Sequence, residues 1–187
     1  VKMGDWIGEV KHGAPVNFRN IFFNPHGNGT HTECVGHISK EDFSINQCLK
    51  EFFFIAELIS VKPEKYGNDL IISKKQVQIL SAKKHLKGGA VIIRTLPNQK
   101  SKLTRNYSGS NPPYIHPGAI SYLVSLGIKH LLVDMPSLDR EEDEGKLLAH
   151  KAFWGFNTVN KQKRNRLFCT ITELIYVPDE IKDGNYL

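Results

Sequence analysis

Cysteine is scarce in this chain of 187 residues, which contains three of them and no pair with CxxC spacing. Because Cys34, Cys48 and Cys169 are odd in number and far apart, the sequence predicts neither a disulfide framework nor a thiolate metal site. A reducing compartment is the simplest environment for such a chain. We therefore expect a cytoplasmic protein.

Long apolar runs are absent as well. No stretch reaches the ~20 residues of a membrane-spanning helix, and no charged start followed by an apolar segment indicates a signal peptide. We expect no membrane partner. Because the sequence starts at Val1 rather than at methionine, an upstream segment and secretion stay open alternatives.

Repeats and low-complexity tracts are also lacking. A chain of 187 residues is long enough to bury a core without disulfides. The sequence therefore predicts one domain over residues 1–187.

Positive charge is in modest excess, with 25 lysines and arginines, 19 acidic residues and a net charge of +6. The excess lies mainly in residues 83–87, 100–105 and 161–166, which we interpret as solvated faces and loops. A nucleic-acid site requires such charge on one face with aromatic side chains for stacking, whereas the phenylalanines cluster in apolar runs. We expect no nucleic-acid partner.

Apolar and β-branched runs of strand length, bounded by turn residues, predict buried strands. They are residues 53–61, 90–95, 130–134 and 169–177. Because the second and third of these directly follow predicted helices, the pattern is typical of an α/β protein with a mixed sheet. Residues 134–139 then leave the carboxyl end of a strand, where α/β folds commonly place ligand sites.

Helix signals mark three segments. Ser73 and Gln76 have the spacing of a capping box, and the helix of residues 73–86 is followed by two glycines. A second helix begins near His116, where Pro117 suits the first turn, and Gly127 supplies its stop.

Residues 147–156 are interpreted as a short helix that contains His150. Residues 98–113 have the glycine, serine, asparagine and proline content of a long loop, which we expect to cover a pocket.

Histidine is concentrated in the segment NPHGNGTHTECVGH of residues 24–37. Imidazole and carboxylate groups are the usual ligands of a divalent transition metal, and glycine allows the backbone close to an ion. In an extended segment His31 and Glu33 share one face, and His37 joins them unless Gly36 redirects the chain.

His26 falls on the opposite face of a regular strand from His31. Its ligation would require a bulge at Gly27 or Gly29. A glycine-rich turn with His26 bonded to backbone groups is an equal alternative.

Two polar residues in later apolar stretches, His150 and Glu173, are further candidate ligands. A buried carboxylate at Glu173 would need a cation or strong donors. The alternative is an edge strand whose wet face exposes Glu173, and the residues alone slightly favour it. His150 in its helix is likewise more often a core or surface histidine than a ligand.

The sequence resembles the metal-dependent cyclase family, which includes bacterial kynurenine formamidases and isatin hydrolases. The family signature is His-x-Gly-Thr-His-x-Asp-x-Pro-x-His, and Gly29 to His37 follow it from the glycine onward. The likeness continues through NPPY at 111–114, GI at 127–128, VDMPSLD at 133–139, His150 and TEL at 172–174. The resemblance implies a swivelling β/β/α fold, a homodimer or larger oligomer, and bound zinc or manganese.

The resemblance also implies roles for individual residues. His31, Glu33, His150 and Glu173 match the metal ligands of the family, and His37 matches the histidine that acts as general acid and base.

The chain departs from the signature at three places. Gly27 occupies the position of the first ligand, with His26 one residue earlier, and Glu33 and Val35 replace aspartate and proline. We include His26 in the predicted metal set as the substitute for the missing ligand.

The sequence therefore predicts a metal-dependent hydrolase that cleaves a small amide, either an N-formyl arylamine such as N-formylkynurenine or a cyclic amide, with a metal-activated water. Asp139 is expected to orient His150. The alternative is a non-catalytic or metal-depleted family member that binds a small molecule. Arg94 and Arg105 are candidates to pair with a substrate carboxylate, although surface solvation is the more common position for arginine.

Overall fold

A six-stranded sheet forms the centre of the protein in a computed structural model that describes residues 1–84, 89–156 and 166–187. The strands are β1 (Lys2–Met3), β2 (Trp6–Ile7), β3 (His31–Glu33), β4 (Ala56–Val61), β5 (Glu64–Tyr66), β6 (Asp69–Ile72), β7 (Ala90–Thr95), β8 (Tyr114–Ile115), β9 (His130–Val133), β10 (Thr170–Glu173) and β11 (Gly184–Tyr186). The helices are α1 (Pro25–Asn28), α2 (Ile45–Cys48), α3 (Lys74–Lys84), α4 (Pro117–Ser125) and α5 (Leu148–Trp154). Short 3-10 helices cover Val10–His12, Val35–His37 and Lys100–Leu103.

The large sheet has the strand order β11-β4-β7-β9-β10-β3. Strands β4, β7, β9 and β10 are parallel, whereas the edge strands β11 and β3 are antiparallel to their neighbours. Parallel neighbours require crossover connections, which include α3, α4 and α5 here. The predicted α/β class with a mixed sheet is therefore confirmed.

The core lies between the central strands and these crossover helices. Ile93 of β7, Leu131 of β9 and Phe153 of α5 are fully buried members of one apolar cluster. Trp154 of α5 donates its indole N–H to the Cys169 carbonyl oxygen at 2.9 Å. This bond ties α5 to the start of β10, the strand that carries Glu173 at its carboxyl end.

The predicted strands are found with shorter bounds at two places. The run that begins at Phe53 enters the sheet only at Ala56, because the register pairs Ala56 with Ala90 at the start of β7. Phe53 is consequently 84% exposed, which contradicts its predicted burial. The last predicted strand ends at Glu173 instead of residue 177, and Leu174 takes a left-handed φ of 55°.

The predicted helices are confirmed. In the capping box of α3, the Ser73 amide donates to Gln76 Oε1 at 3.0 Å and the Gln76 amide donates to Ser73 Oγ at 3.3 Å. Residues 85–88, which include the end predicted for this helix, lie outside the described residues. Among the helices that the structure describes, none has the length and apolar character to cross a membrane.

The basic runs are only partly solvated, which corrects the interpretation from sequence. Residues 161–165 lie outside the described ranges, but Arg166, the last residue of the predicted run 161–166, is buried and donates to the carbonyl oxygens of Phe153 and Ile128. The Lys102 side chain is only 10% exposed and forms an ion pair with Asp134.

Arg94 is also buried, so its predicted surface solvation is wrong. Its guanidinium group donates to Ser60 Oγ, to two backbone carbonyl oxygens and to Asp183 Oδ1, at 2.7 to 3.2 Å. The carbonyls belong to Pro178 and Ile181. Arg94 therefore fastens the carboxyl-terminal segment to β4 and β7.

We expect Arg94→Ala to lower the free energy of unfolding by at least about 2 kcal/mol, because hydrogen bonds to a charged group each contribute about 1.5–3 kcal/mol. Urea denaturation followed by circular dichroism measures this change. Arg105→Ala, which removes an exposed arginine, is the control and should stay within about 0.5 kcal/mol of the wild type. Equal stability of Arg94→Ala and the control would contradict the structural role of Arg94.

Candidate metal centre

The pairing of β3 with β10 brings the amino-terminal motif to Glu173. The register places His31 opposite Glu173, with 3.6 Å between His31 Nε2 and Glu173 Oε2. His31 and Glu33 project to one face of β3 as predicted, with Thr32 between them exposed. Glu173 is buried in an inner strand, so the alternative of a wet edge strand is wrong.

The His31 ring is oriented by the backbone. Its Nδ1 lies 2.9 Å from the Gly29 carbonyl oxygen, and because a carbonyl only accepts, Nδ1 carries the proton. In this tautomer of the neutral ring Nε2 carries a lone pair, and this buried atom has no hydrogen-bond partner. A histidine whose far nitrogen is fixed in this way is ready to bind a metal ion.

Helix α5 brings His150 to the same place. The His150 side chain is buried, with Nε2 at 2.9 Å from Glu33 Oε1 and 3.6 Å from Glu173 Oε1. On its other side, Nδ1 lies 2.6 Å from Asp139 Oδ2. Asp139 also accepts the backbone N–H groups of Ala149 and His150, so it fixes both the helix start and the ring.

His26 reaches Glu33 without a bulge in a strand, which differs from the sequence expectation. It lies in the single turn of α1, where the Asn24 side chain accepts the backbone N–H groups of His26 and Gly27. His26 Nδ1 is 3.5 Å from Glu33 Oε2. The helical turn thus brings His26 beside the carboxylate although Gly27 stands at the first ligand position of the signature.

His37 approaches Glu33 from a 3-10 helix rather than from a continued strand. The turn requires Gly36, because a Cβ there would lie 2.1 Å from the Phe43 carbonyl oxygen. His37 Nε2 is 3.5 Å from Glu33 Oε2, and the His37 ring stacks on that of His26 with 4.4 Å between centroids. Gly36 therefore redirects the chain but keeps His37 at the site.

The cluster concentrates negative charge where water is excluded. Burial, and then the charge of Glu33, raises the pKa of Glu173 to about 8. Burial by itself lowers the pKa of His150, but its hydrogen bonds to Asp139 and Glu33 and the charges of Glu33 and Glu173 outweigh this and raise it to about 10. Glu173 and His150 therefore hold protons at neutral pH, in a cluster whose carboxylates attract positive charge.

The donor set fits a divalent transition metal. Two groups of three side chains have ligand atoms within 4.8 Å of one another. The first group is His26, Glu33 and His37, and the second is His31, Glu33 and Glu173, so Glu33 belongs to both. Glu33 Oε2, like His31 Nε2, is buried without a hydrogen-bond partner. Imidazole nitrogens and carboxylate oxygens suit zinc, manganese or iron.

A cavity of about 810 Å³ opens beside the cluster, with His26, Gly29 and Asp139 in its wall. The predicted loop contributes residues 102–108 and Pro112 to its lining. Asp134 lies there too, so the segment after β9 forms part of the pocket as expected.

Sequence reasoning missed the polar support of this wall. Lys102 Nζ donates to Asp134 Oδ2 at 2.7 Å and to the Thr95 carbonyl oxygen at 2.6 Å. The Thr95 amide donates to the same aspartate at 2.8 Å. Lys102 stands in a basic loop and gives no local signal of burial, although a carboxylate at a strand end such as Asp134 does suggest a partner.

Comparisons with known proteins give a family match and several similar folds. Residues 3–140 match the family model named Cyclase. The fold is similar to that of a potential metal-dependent hydrolase with cyclase activity, with 18% identity and a TM-score of 0.59 over 89% of this chain and 70% of that one. A predicted metal-dependent hydrolase from Bacillus stearothermophilus has 17% identity and a TM-score of 0.57, over 89% of this chain and 69% of that one.

An isatin hydrolase bound to the product analogue thioisatinate is also similar, with 16% identity and a TM-score of 0.59 over 86% of this chain and 63% of that one. Comparison with curated proteins gives no match. Likeness at these identities concerns the fold, and it confirms the expected cyclase-type α/β architecture.

We expect His31→Ala to abolish retention of zinc or manganese, because it removes the oriented lone pair between Glu33 and Glu173. Elemental analysis of protein purified and reloaded under reducing conditions measures the metal content. His12→Ala, which removes an exposed histidine paired with Glu9, should keep the wild-type content. If neither wild type nor variants bind metal after loading, the assignment of the cluster as a metal centre is wrong.

Metal uptake at pH 7 should release about one to two protons per ion. The pKa is about 8 for Glu173 and about 10 for His150. Because pH 7 lies below both values, both groups hold protons that metal binding must displace. Metal affinity should accordingly fall as the pH is lowered. Calorimetric zinc titrations in buffers of different ionisation enthalpy count the protons, and zinc binding without proton release would exclude ligation by these two groups.

Proposed function

The chain belongs to the cyclase family, and from this premise we propose that it is a metal-dependent hydrolase that cleaves a small amide. The observation that carries the proposal is the buried set of oriented imidazole and carboxylate groups around Glu33, with two of its polar atoms unpartnered. The residues that would hold the ion are His26, His31, Glu33, His150 and Glu173.

A bound divalent cation supplies Lewis acidity, because it lowers the pKa of a water molecule and polarises the amide carbonyl. The chain provides the rest of the chemistry. Asp139 keeps His150 in one orientation through its 2.6 Å hydrogen bond. Glu33 and Glu173 supply the negative charge that a buried cation requires.

His37 is suited to move the proton. Its side chain is 31% exposed and therefore accessible to water. Burial lowers the pKa of His37, and although the charge of Glu33 opposes this, the neighbouring histidines lower the pKa further. The imidazole is then neutral at pH 7, so it can accept a proton from the attacking water and return it to the departing nitrogen.

The cavity supports a small-molecule substrate, because its volume of about 810 Å³ lies within the range of about 300–1,000 Å³ found for ligand pockets. An N-formyl arylamine such as N-formylkynurenine, or a cyclic amide, presents a carbonyl to the cluster and fits such a space. The expectations of a homodimer, of a cytoplasmic location and of zinc or manganese as the ion stay predictions.

We expect His37→Ala to retain bound metal but to lower kcat for an N-formyl arylamine by at least about a hundredfold, because the proton carrier is lost. Turnover is measured from released arylamine, and metal content by elemental analysis of the same preparation. His12→Ala serves again as the control.

Two outcomes would contradict these assignments. Loss of metal from His37→Ala to the same extent as from His31→Ala would make His37 a ligand. Wild-type protein with stoichiometric metal that hydrolyses neither N-formyl arylamines nor cyclic amides would overturn the proposed activity and favour a small-molecule binding protein.

A further inference from the structure

The carboxylates in the cavity wall are all engaged by the protein itself. Asp134 accepts from Lys102 and Thr95, and Asp139 from His150. At the outer part of the wall, Glu141 accepts the backbone N–H groups of Gly109 and Asn111, and Asp143 accepts those of Gly145 and Leu147. These acids hold loops and helix starts in place.

Two of the three lysine and arginine side chains in the wall are engaged as well. Lys102 is paired with Asp134, and Arg140 Nε lies 3.0 Å from Asp69 Oδ2. The third is Arg105, which has no carboxylate partner among the residues that the structure describes. Its guanidinium lies over the Tyr107 ring, 5.4 Å from the centroid.

The contact with Tyr107 gives Arg105 a defined position. Tyr107 also lines the cavity and is half-buried. Burial raises its pKa, and so does the charge of Asp134, which places the phenol near the Lys102–Asp134 pair. A guanidinium placed over such a ring, with no carboxylate partner among the described residues, has N–H donors available for a planar anion.

We propose that Arg105 binds a carboxylate of the substrate, so that the amide hydrolysed at the cluster is an acidic one, a preference that presupposes the proposed function. Arg105 then acts as a specificity-determining residue. Arg94, the other arginine considered for this role, is excluded by its bonds to Ser60, Asp183 and the carboxyl-terminal backbone.

The test compares two amides that share a ring, 2-formamidobenzoate with a carboxylate and formanilide without one. For the metal-loaded wild type we expect kcat/KM to favour the acidic amide, and we expect Arg105→Ala to reduce this ratio at least about tenfold, as for a lost charge-assisted hydrogen bond. Arg105→Lys, which keeps the charge, should restore part of the ratio. Lys100→Ala is the matched control, because Lys100 is an exposed cation of the same loop outside the cavity wall.

A second readout does not depend on turnover. Calorimetry with 2-aminobenzoate should show binding to the wild type that Arg105→Ala weakens about tenfold and Lys100→Ala leaves unchanged. If neither amide is hydrolysed but this binding pattern holds, the proposed activity fails while the role of Arg105 stands. Equal effects of Arg105→Ala and Lys100→Ala, in the kinetic ratio or in the binding, would overturn the proposal.

Discussion

The rest of the site depends on one electrostatic constraint, the confinement of Glu33, Glu173 and Asp139 in a buried space. Isolated carboxylates are costly to remove from water, so each of them needs a positive or donating neighbour. Asp139 has one in His150 and in the start of α5. Glu33 and Glu173 have histidines at hydrogen-bond distance or slightly beyond. Burial and the charge of Glu33 nevertheless raise the pKa of Glu173, so the two carboxylates share this space with a proton that a bound cation would displace.

The sheet topology creates this confinement. β3 comes from the amino-terminal part of the chain and β10 from near its end, yet they are neighbours at one edge of the sheet. α5 carries His150 to the same place, where its Nε2 lies 2.9 Å from Glu33 Oε1. Residues separated by more than a hundred positions thereby share one ion site, and the packed core beneath them limits how far the ligand atoms can move.

In the cavity wall, too, a buried carboxylate is paired with a positively charged side chain from a distant part of the chain. The loop after β7 has little regular structure, and Lys102 fastens it to the carboxyl ends of β7 and β9 through Thr95 and Asp134. A loop held at its base in this way can present Arg105 and Tyr107 to the cavity at little further entropic cost. Basic residues that look alike in sequence thus differ in role: Arg94 fastens the carboxyl-terminal segment, Lys102 supports the cavity wall, and Arg105 is proposed to bind a substrate carboxylate.

Local pattern alone determined much of this protein: the strands at 90–95 and 130–133, the capped helix after Ser73, and the shared face of His31 and Glu33. These features depend on side-chain periodicity and turn residues within a few consecutive positions, so they can be predicted from a short stretch of sequence. Tertiary structure alone decided that Glu173 is buried between two strands, that a helical turn brings His26 to Glu33, and that Arg94 faces inward while Arg105 does not. Those outcomes depend on which distant segments become neighbours, because burial and charge pairing are properties of the assembled surfaces and not of any single stretch of chain.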